Sequence, residues 1–232
     1  MKPQPAFSKL TLFDVDGTLL RTATGHPAAF VEGFRQVYGV DTHIDVIKHF
    51  GMTDQQVITE VLKKNGLDES EILAKLGACM GVMVDYFKSV EDSIEVEVLS
   101  GVPELLAEFQ KRNCLIGLVT GNLEPIAYGK MRRAGLRNYF SLGGFGSDHI
   151  SRAELVKLAV HRAREQYGFE PAANIFHFGD APQDMWAGST AGVSAVGITT
   201  GIYTADELKA AGAWVVVESL ADTRRIVEII FG

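Results

Sequence analysis

The feature that most constrains the fold of this chain is an apolar run that stops at two carboxylates. Residues 10–20 read Leu-Thr-Leu-Phe-Asp-Val-Asp-Gly-Thr-Leu-Leu, so a buried strand would end at Asp14 and Asp16. Two like charges at one edge of a sheet are costly unless a cation or a shared proton neutralises them. A simple turn is the alternative, because Asp and Gly both favour turns. A helix-loop-helix calcium loop is excluded, because Gly17 already follows the second acid and the twelfth loop position is Gly25.

Apolar segments rich in branched or aromatic residues alternate with helix-like stretches along most of the chain. The predicted strands are 9–13, 114–120, 174–180, 193–198 and 213–217. The predicted helices are 102–112, 124–134, 153–167, 182–191 and 205–210. This alternation indicates an α/β fold, a Rossmann-like doubly wound parallel sheet covered on both faces. Ligands bind beyond the carboxyl ends of the strands in such sheets, so function is expected there.

Residues 21–96 interrupt this alternation. They contain helix-like runs at 28–38, 54–64 and 69–88 and no convincing buried strand. Pro27 is placed to open the first run and Gly66 to end the second. We therefore predict an inserted α-helical cap domain at 21–96 and a catalytic core formed by 1–20 and 97–232.

Oxygen-bearing side chains follow several of the predicted strands. Thr120 ends one strand, Asp180 ends another, and Asp184 lies four residues further on. Taken singly, each of these residues could simply belong to a turn, and Asp184 would be favoured in the first turn of a helix. Together with Asp14 and Asp16, however, they form a converging set of carboxylates with neither histidine nor thiolate. That ligand set suits a hard cation, and Mg²⁺ fits best.

Charge and cysteine content narrow the partners. The net charge of −7 disfavours a nucleic acid or an anionic membrane as partner, but it does not exclude a small anionic substrate. Cys79 and Cys114 lie far apart without metal-ligand spacing, so we expect both to be reduced. Because the amino terminus lacks an apolar signal core and no run is long enough for a bilayer, we expect a cytoplasmic protein.

Two motifs carry a resemblance to a known family. The Asp-Val-Asp-Gly-Thr stretch at 14–18 and the Gly-Asp pair at 179–180 with Asp184 resemble the haloacid dehalogenase superfamily of phosphohydrolases. The branch with a helical cap after the first strand, similar to phosphoglycolate phosphatases, is the best match. The resemblance implies that Asp14 attacks phosphorus to form an aspartyl-phosphate, and that Asp16 acts as general acid and base. It also implies a magnesium site formed by Asp14, the backbone carbonyl of Asp16, Asp180 and Asp184.

The phosphate-binding residues depart from the family pattern. The resemblance assigns phosphoryl binding to Thr120 and the backbone N–H groups that follow it, at Gly121 and Asn122, although many relatives have Asn directly after Thr. The usual lysine before the next helix is missing. Arg152 is the nearest candidate to replace it and Lys157 is the second, although a solvated helix-terminal charge is the simpler interpretation of Arg152.

The cap is expected to select the substrate, because the core handles only the phosphoryl group. His26, Thr53 and Asp54 are the candidate substrate contacts, with structural roles open for each: His26 at a helix start, and Thr53 or Asp54 as a helix cap. The expected partner is a small phosphate monoester. The sequence does not indicate which ester, and a monomer and a homodimer both remain open.

Other functions stay open beside a phosphatase. A phosphomutase similar to β-phosphoglucomutase would keep both acids, whereas a metal-free haloacid dehalogenase would lack Asp16 and is disfavoured. A receiver module phosphorylated on Asp would be shorter and would carry its phosphorylated residue on a later strand. A catalytically silent protein of this fold is the remaining alternative. Chelator-sensitive phosphate release separates an enzyme from the last two.

Overall fold

The computed structural model describes residues 7–170 and 174–232. In chain order the strands are β1 (Lys9–Phe13), β2 (Leu20–Thr22), β3 (Val96–Val98), β4 (Cys114–Thr120), β5 (Leu142–Phe145), β6 (Ile175–Gly179), β7 (Ser194–Ile198) and β8 (Val215–Val217). The α-helices are α1 (His26–Gly33), α2 (Asp54–Lys64), α3 (Glu69–Val90), α4 (Val102–Lys111), α5 (Glu124–Arg133), α6 (Arg152–Tyr167), α7 (Pro182–Ala191), α8 (Ala205–Ala210) and α9 (Thr223–Phe231).

Six of these strands form one parallel sheet in the order β5-β4-β1-β6-β7-β8. Apolar side chains cover both faces of this sheet. On one face Phe13 and Phe178 stack with ring centroids 4.6 Å apart, beside α4 and α9. On the other face Leu10 and Leu12 belong to a separate cluster with α6 and α7. The predicted α/β fold with a doubly wound parallel sheet is confirmed.

The sequence prediction missed two core elements. Strand β5 reads Leu-Gly-Gly-Phe, which lacks the branched residues that mark a strand. Its glycines are explained by packing, because a Cβ on Gly144 would lie 2.1 Å from the carbonyl oxygen of Leu155 in α6. Helix α9 was missed because it follows a polar stretch at the carboxyl end. Several predicted bounds were a residue or two too long, and 174–180 corresponds to β6 at Ile175–Gly179.

Residues between β2 and β3 are mainly helical and have their own apolar cluster, which includes Phe30 and Phe34 with ring centroids 6.0 Å apart. Pro27 lies in the first turn of α1, and Gly66 follows α2 with a positive φ. The predicted single helix at 28–38 is instead α1 followed by a π-helical turn, Phe34–Tyr38. We call residues 23–95 the helical segment.

Residues 21–96, in which no convincing buried strand is predicted, begin and end within two short strands that are partly exposed. Strand β2 pairs in antiparallel fashion with β3, so the two ends of the helical segment leave and re-enter the core side by side. Both strands have only three residues and are partly exposed, so they do not read as apolar runs. The predicted domain limits at 21 and 96 stay a prediction.

The helical segment lies over the carboxyl edge of the sheet, against α5. Its cluster includes Leu123 and Ile126 from the start of α5, and a Cβ on Gly129 would lie 2.6 Å from the ring of Phe87. In the described parts of the chain, no helix has both the length and the apolar character required to cross a membrane.

Candidate active site

Three buried aspartates meet at the carboxyl edge of the sheet. Strands β1 and β6 are paired neighbours, so Asp14 and Asp180, which follow them, lie side by side. Asp184 comes from the first turn of α7, where its carboxylate accepts a hydrogen bond from the backbone N–H of Ala181 at 3.1 Å. One carboxylate oxygen from each of the three aspartates lies within 4.8 Å of the other two. The predicted convergence of these acids is therefore present in the fold.

Arg152 is the cation that faces this acidic cluster. It begins α6, is 9% exposed, and its Nη1 lies 3.1 Å from Oδ1 of Asp14. The same nitrogen donates a hydrogen bond to Asp184. Lys157, the second candidate, instead pairs with Glu154 on the surface. The structure therefore places Arg152, and not Lys157, at the acidic cluster.

One arginine does not balance three buried carboxylates, and the pKa values reflect this. Burial and the neighbouring carboxylates raise the pKa of Asp180 to about 8. Burial likewise raises the pKa of Asp14 to about 6, although Arg152 opposes the shift. For Asp184, burial is outweighed by Arg152 and by the adjacent His177, and the pKa is lowered. A second cation would relieve the excess charge, and the all-oxygen donor set fits Mg²⁺.

Glycines bring backbone close to Asp180. A Cβ on Gly17 would lie 2.4 Å from its Oδ2, and a Cβ on Gly201 would lie 1.9 Å from the same atom. The hydroxyl of Thr18 also donates to Asp180 at 3.1 Å. This carboxylate is therefore fixed from several sides, as a metal ligand has to be.

Asp16 is held by a buried lysine that the sequence prediction missed. Lys130 in α5 is 1% exposed, and its Nζ lies 2.6 Å from Oδ2 of Asp16. It also donates to the side-chain oxygen of Asn122 at 2.7 Å and lies 3.1 Å from Nδ1 of His26. Burial would raise the pKa of Asp16, but the Lys130 ammonium outweighs it and holds that pKa below its ordinary value.

A sequence signal for Lys130 existed. It lies three and four residues after Ala127 and Ile126, which are both buried, so it falls on the inward face of α5.

Thr120, the last residue of β4, and Gly121, which follows it, make different contacts. Thr120 is buried, borders the cleft, and accepts a hydrogen bond from the backbone N–H of Asn122 at 3.2 Å. Gly121 contacts the helical segment: its carbonyl accepts from the N–H of Asp54 at 2.8 Å, and a Cβ there would lie 2.3 Å from the carbonyl oxygen of Met52. Glycine at this position is therefore required by the close approach of two backbone segments.

The three predicted substrate contacts of the helical segment differ in position. His26 and Asp54 border the cleft, with His26 Nε2 3.0 Å from Oδ2 of Asp54. The same carboxylate accepts from the N–H of Leu123 at 2.8 Å, which ties the helical segment to α5. Thr53 is fully buried and caps α2 in a capping box with Gln56, so its prediction as a substrate contact is corrected to a structural role.

A cleft of about 250 Å³ lies between the sheet edge and the helical segment. Its floor, as we use the term here, consists of the acidic residues and their arginine: Asp14, Asp16, Asp180, Asp184 and Arg152. The opposite side is more apolar.

Comparison with known proteins identifies the family and supports the fold. The sequence model of the haloacid dehalogenase-like hydrolases matches residues 11–198. A probable phosphatase, IndB, from Dickeya dadantii is 27% identical over 218 residues, covering 92% of this chain and 90% of the relative. A phosphoglycolate phosphatase from Synechococcus elongatus is 26% identical over 207 residues, covering 86% of this chain and 88% of the relative. The crystal structure of a hydrolase from Pseudomonas syringae superimposes with a TM-score of 0.71 at 20% identity, covering 97% and 100% of the two chains.

The chain therefore belongs to the haloacid dehalogenase-like hydrolase family. Its enzyme class is that of the phosphoric monoester hydrolases, as its curated relatives are named phosphatases. The family resemblance drawn from the sequence is confirmed. The roles assigned to individual residues stay predictions and are taken up as proposals below.

Proposed function

We propose that this chain is a magnesium-dependent phosphatase that hydrolyses a small phosphate monoester through an aspartyl-phosphate on Asp14. The observation that carries the proposal is the buried group of Asp14, Asp180 and Asp184, packed against Arg152 at the end of a parallel sheet. Outside a reacting site, three carboxylates in one buried place would be an unexplained cost.

In this proposal Asp14 is the nucleophile. An oxygen of its carboxylate forms a bond to phosphorus while the bond from phosphorus to the leaving alcohol oxygen breaks. Arg152, at 3.1 Å from Oδ1, is close enough to hold the carboxylate and a phosphoryl oxygen at once. The hydroxyl of Thr120 and the backbone N–H groups after it would bind the other phosphoryl oxygens.

Asp16 would handle the protons. It gives a proton to the departing alcohol in the first step and takes one from the water that hydrolyses the aspartyl-phosphate in the second. This returns Asp14 to a free carboxylate and releases inorganic phosphate. Lys130 favours the ionised form of Asp16, which suits the second step, and fixes the carboxylate between Lys130 and the hydroxyl of Thr22 at 3.4 Å.

The metal ligands in this proposal are Asp14, Asp180, the backbone carbonyl of Asp16, and Asp184 directly or through water. A bound Mg²⁺ would neutralise phosphoryl charge and align the ester with the nucleophile. The raised pKa values of Asp14 and Asp180 support this assignment, because a cation between the two carboxylates would favour their ionised forms.

A phosphomutase uses the same two acids, so it predicts the same first step. It differs in what accepts the phosphoryl group: a second substrate hydroxyl in place of water. Product analysis decides between them, because hydrolysis releases inorganic phosphate and mutase action returns a rearranged ester.

The test is phosphate release from a panel of monoesters, measured with Mg²⁺ and after chelation. We expect activity that chelation abolishes and Mg²⁺ restores, and an Asp14→Asn variant slower by about 10³-fold or more. Asp206→Asn, the same change at a carboxylate that is 96% exposed, is the matched control and should keep full activity. Phosphate release that survives in Asp14→Asn would refute the nucleophile assignment.

A further inference from the structure

We propose that the alcohol released from the ester is uncharged and presents an apolar face, which contacts Phe50 and Ile202 at the open side of the cleft. We call these two side chains the mouth. This inference rests on the proposed phosphatase function and specifies its substrate class.

The charges in the cleft are the first argument. Among the described residues that line it, the lysine and the arginine are Lys130 and Arg152. Each is almost fully buried and bonded to floor carboxylates, Lys130 to Asp16 and Arg152 to Asp14. Lys130 is thus taken up by Asp16, and Arg152 by the floor and, in the proposed reaction, by the phosphoryl group, so neither is left to pair with a charge on the leaving group.

A carboxylate on the leaving group would therefore lie in a negative electrostatic potential. It would lie near the aspartates of the floor and lose water without gaining a fixed cation. His49, which also lines the cleft, lies 3.6 Å from Asp45, so its ring already has an acidic neighbour. An uncharged alcohol avoids this cost.

The apolar lining is the second argument. Phe30 and Val57 of the helical segment form part of the wall, and Phe50 and Ile202 stand at the mouth. Phe50 is 50% exposed and Ile202 is 61% exposed, among the few large apolar side chains so placed in the described chain. Small-molecule sites are lined mainly by apolar side chains with a few placed polar groups, and Phe50 and Ile202 belong to such a lining.

The backbones that carry the mouth are fixed. Gln183 of α7 donates to the carbonyl of Phe50 at 3.1 Å, and Gly51, with a φ of 76°, packs directly on the Gln183 side chain. On the other side Arg21 donates to the carbonyl of Thr200 at 2.7 Å, two residues before Ile202. Both apolar side chains are thus exposed on loops whose backbones are already held in place, so binding a ligand there costs little ordering entropy.

The size of the cleft sets the size of the leaving group. About 250 Å³ is small beside the usual range for drug-sized ligands, whereas an apolar cavity of about 150 Å³ holds benzene. The cleft therefore has room for a phosphoryl group and about one ring.

The test compares two esters that differ by one charge: benzyl phosphate and 4-carboxybenzyl phosphate. The ring separates the carboxylate from the reacting oxygen, so both alcohols leave with similar ease. With the Mg²⁺-loaded enzyme we expect kcat/KM to be about 10- to 100-fold higher for benzyl phosphate. Equal or faster hydrolysis of the carboxylated ester would overturn the proposal.

Variants at the mouth give a second readout. Phe50→Ala and Ile202→Ala should each lower the ratio of kcat/KM for benzyl phosphate over ethyl phosphate, a monoester whose alcohol has no ring, by about tenfold. Leu73→Ala is the matched control, because Leu73 is 52% exposed on α3 and lies outside the cleft. A ratio unchanged in both mouth variants would contradict the proposal, and using two separate loops guards against one variant misfolding.

Failure of the phosphatase proposal is distinguishable from failure of this one. Benzylphosphonate and 4-carboxybenzylphosphonate cannot be hydrolysed at the phosphorus–carbon bond by this chemistry, so their binding is measured by calorimetry without turnover. Tighter binding of benzylphosphonate, which lacks the carboxylate, supports the inference even if no ester is hydrolysed. Equal or weaker binding overturns it even if phosphatase activity is present.

Discussion

The floor and the mouth of the cleft are built by different means. Floor residues follow the ends of β1 and β6 or begin α6 and α7, so the sheet itself places them, and three of them, Asp14, Asp184 and Arg152, are buried. The mouth consists of single apolar side chains on loops, half exposed and anchored through their backbones. The difference teaches that the chemistry of this cleft depends on sheet topology, whereas the choice of alcohol depends on two loops that could change without disturbing the sheet.

The sharpest test of this division is Lys130, which connects the floor to the helical segment through Asp16 and His26. Lys130→Met keeps an unbranched side chain of similar length and removes the charge. We expect kcat to fall by about 100-fold, because Asp16 loses the ammonium that holds its carboxylate in place. Steady-state kinetics with benzyl phosphate measures the effect.

A pH profile separates this role from a purely structural one. Without Lys130 the pKa of Asp16 rises, so the acidic limb of the profile of kcat should move to higher pH. Lys88→Met, the same change at an exposed position of α3, should leave both kcat and the profile unchanged. A Lys130→Met enzyme with normal kcat would show that the proposed reaction does not depend on the contact between Lys130 and Asp16.

Metal binding gives the next largest effect. Burial raises the pKa of Asp14 to about 6 and that of Asp180 to about 8, so the ion-free protein holds protons there below those values. Binding of Mg²⁺ must release them, and its affinity should therefore rise by about tenfold or more from pH 6 to pH 8. Titration calorimetry measures both the affinity and the protons released.

The stability of the ion-free protein should change with pH in the direction opposite to the Mg²⁺ affinity. Carboxyl groups with raised pKa values favour the folded state at low pH, and this contribution is lost as the pH rises through about 6 and then 8. The Tm without metal should fall over that range, and added Mg²⁺ should offset the fall. A Mg²⁺ affinity independent of pH between 6 and 8 would show that binding of the ion displaces no protons from these two aspartates.

The smallest effect is expected at Gly121, where the backbone after β4 contacts the helical segment. Gly121→Ala places a methyl group 2.3 Å from the carbonyl oxygen of Met52 and 2.8 Å from Cα of Thr53, both backbone atoms. The loop that carries Phe50 has to move outward, so KM for benzyl phosphate should rise about three- to tenfold with a small change in kcat. Gly77→Ala is the control, because a Cβ there meets nothing within 4 Å and Ala favours the helix. An unchanged KM for benzyl phosphate in Gly121→Ala would show that the position of Phe50 does not depend on the backbone contact at Gly121.

Much of the floor was predictable because its residues follow strands. Asp14 and Asp180 end apolar runs, and parallel strands that are adjacent in a sheet bring their ends together. Arg152 was predictable only as the nearest cation to a position that the family pattern fills with lysine.

The mouth and the support behind the floor were harder to foresee. Lys130 reaches Asp16 across 114 residues of sequence, and this pairing depends on how α5 packs. Phe50 and Ile202 lie in loops whose positions come from contacts with Gln183 and Gly17 and not from local propensity. Strand β5 was missed because packing against α6, and not β propensity, selects its glycines.

The pairing of β2 with β3 has a consequence for how this architecture varies. The two points where the helical segment joins the core are hydrogen-bonded to each other, so the core meets the insertion as a hairpin whose base has a fixed width. Lengthening or replacing the insertion then adds only the slowly growing entropy of a longer loop, and the spacing of its attachment points stays the same. The paired strands β2 and β3 therefore keep the attachment points in place, so that insertions of different size can replace one another while the catalytic core stays unchanged.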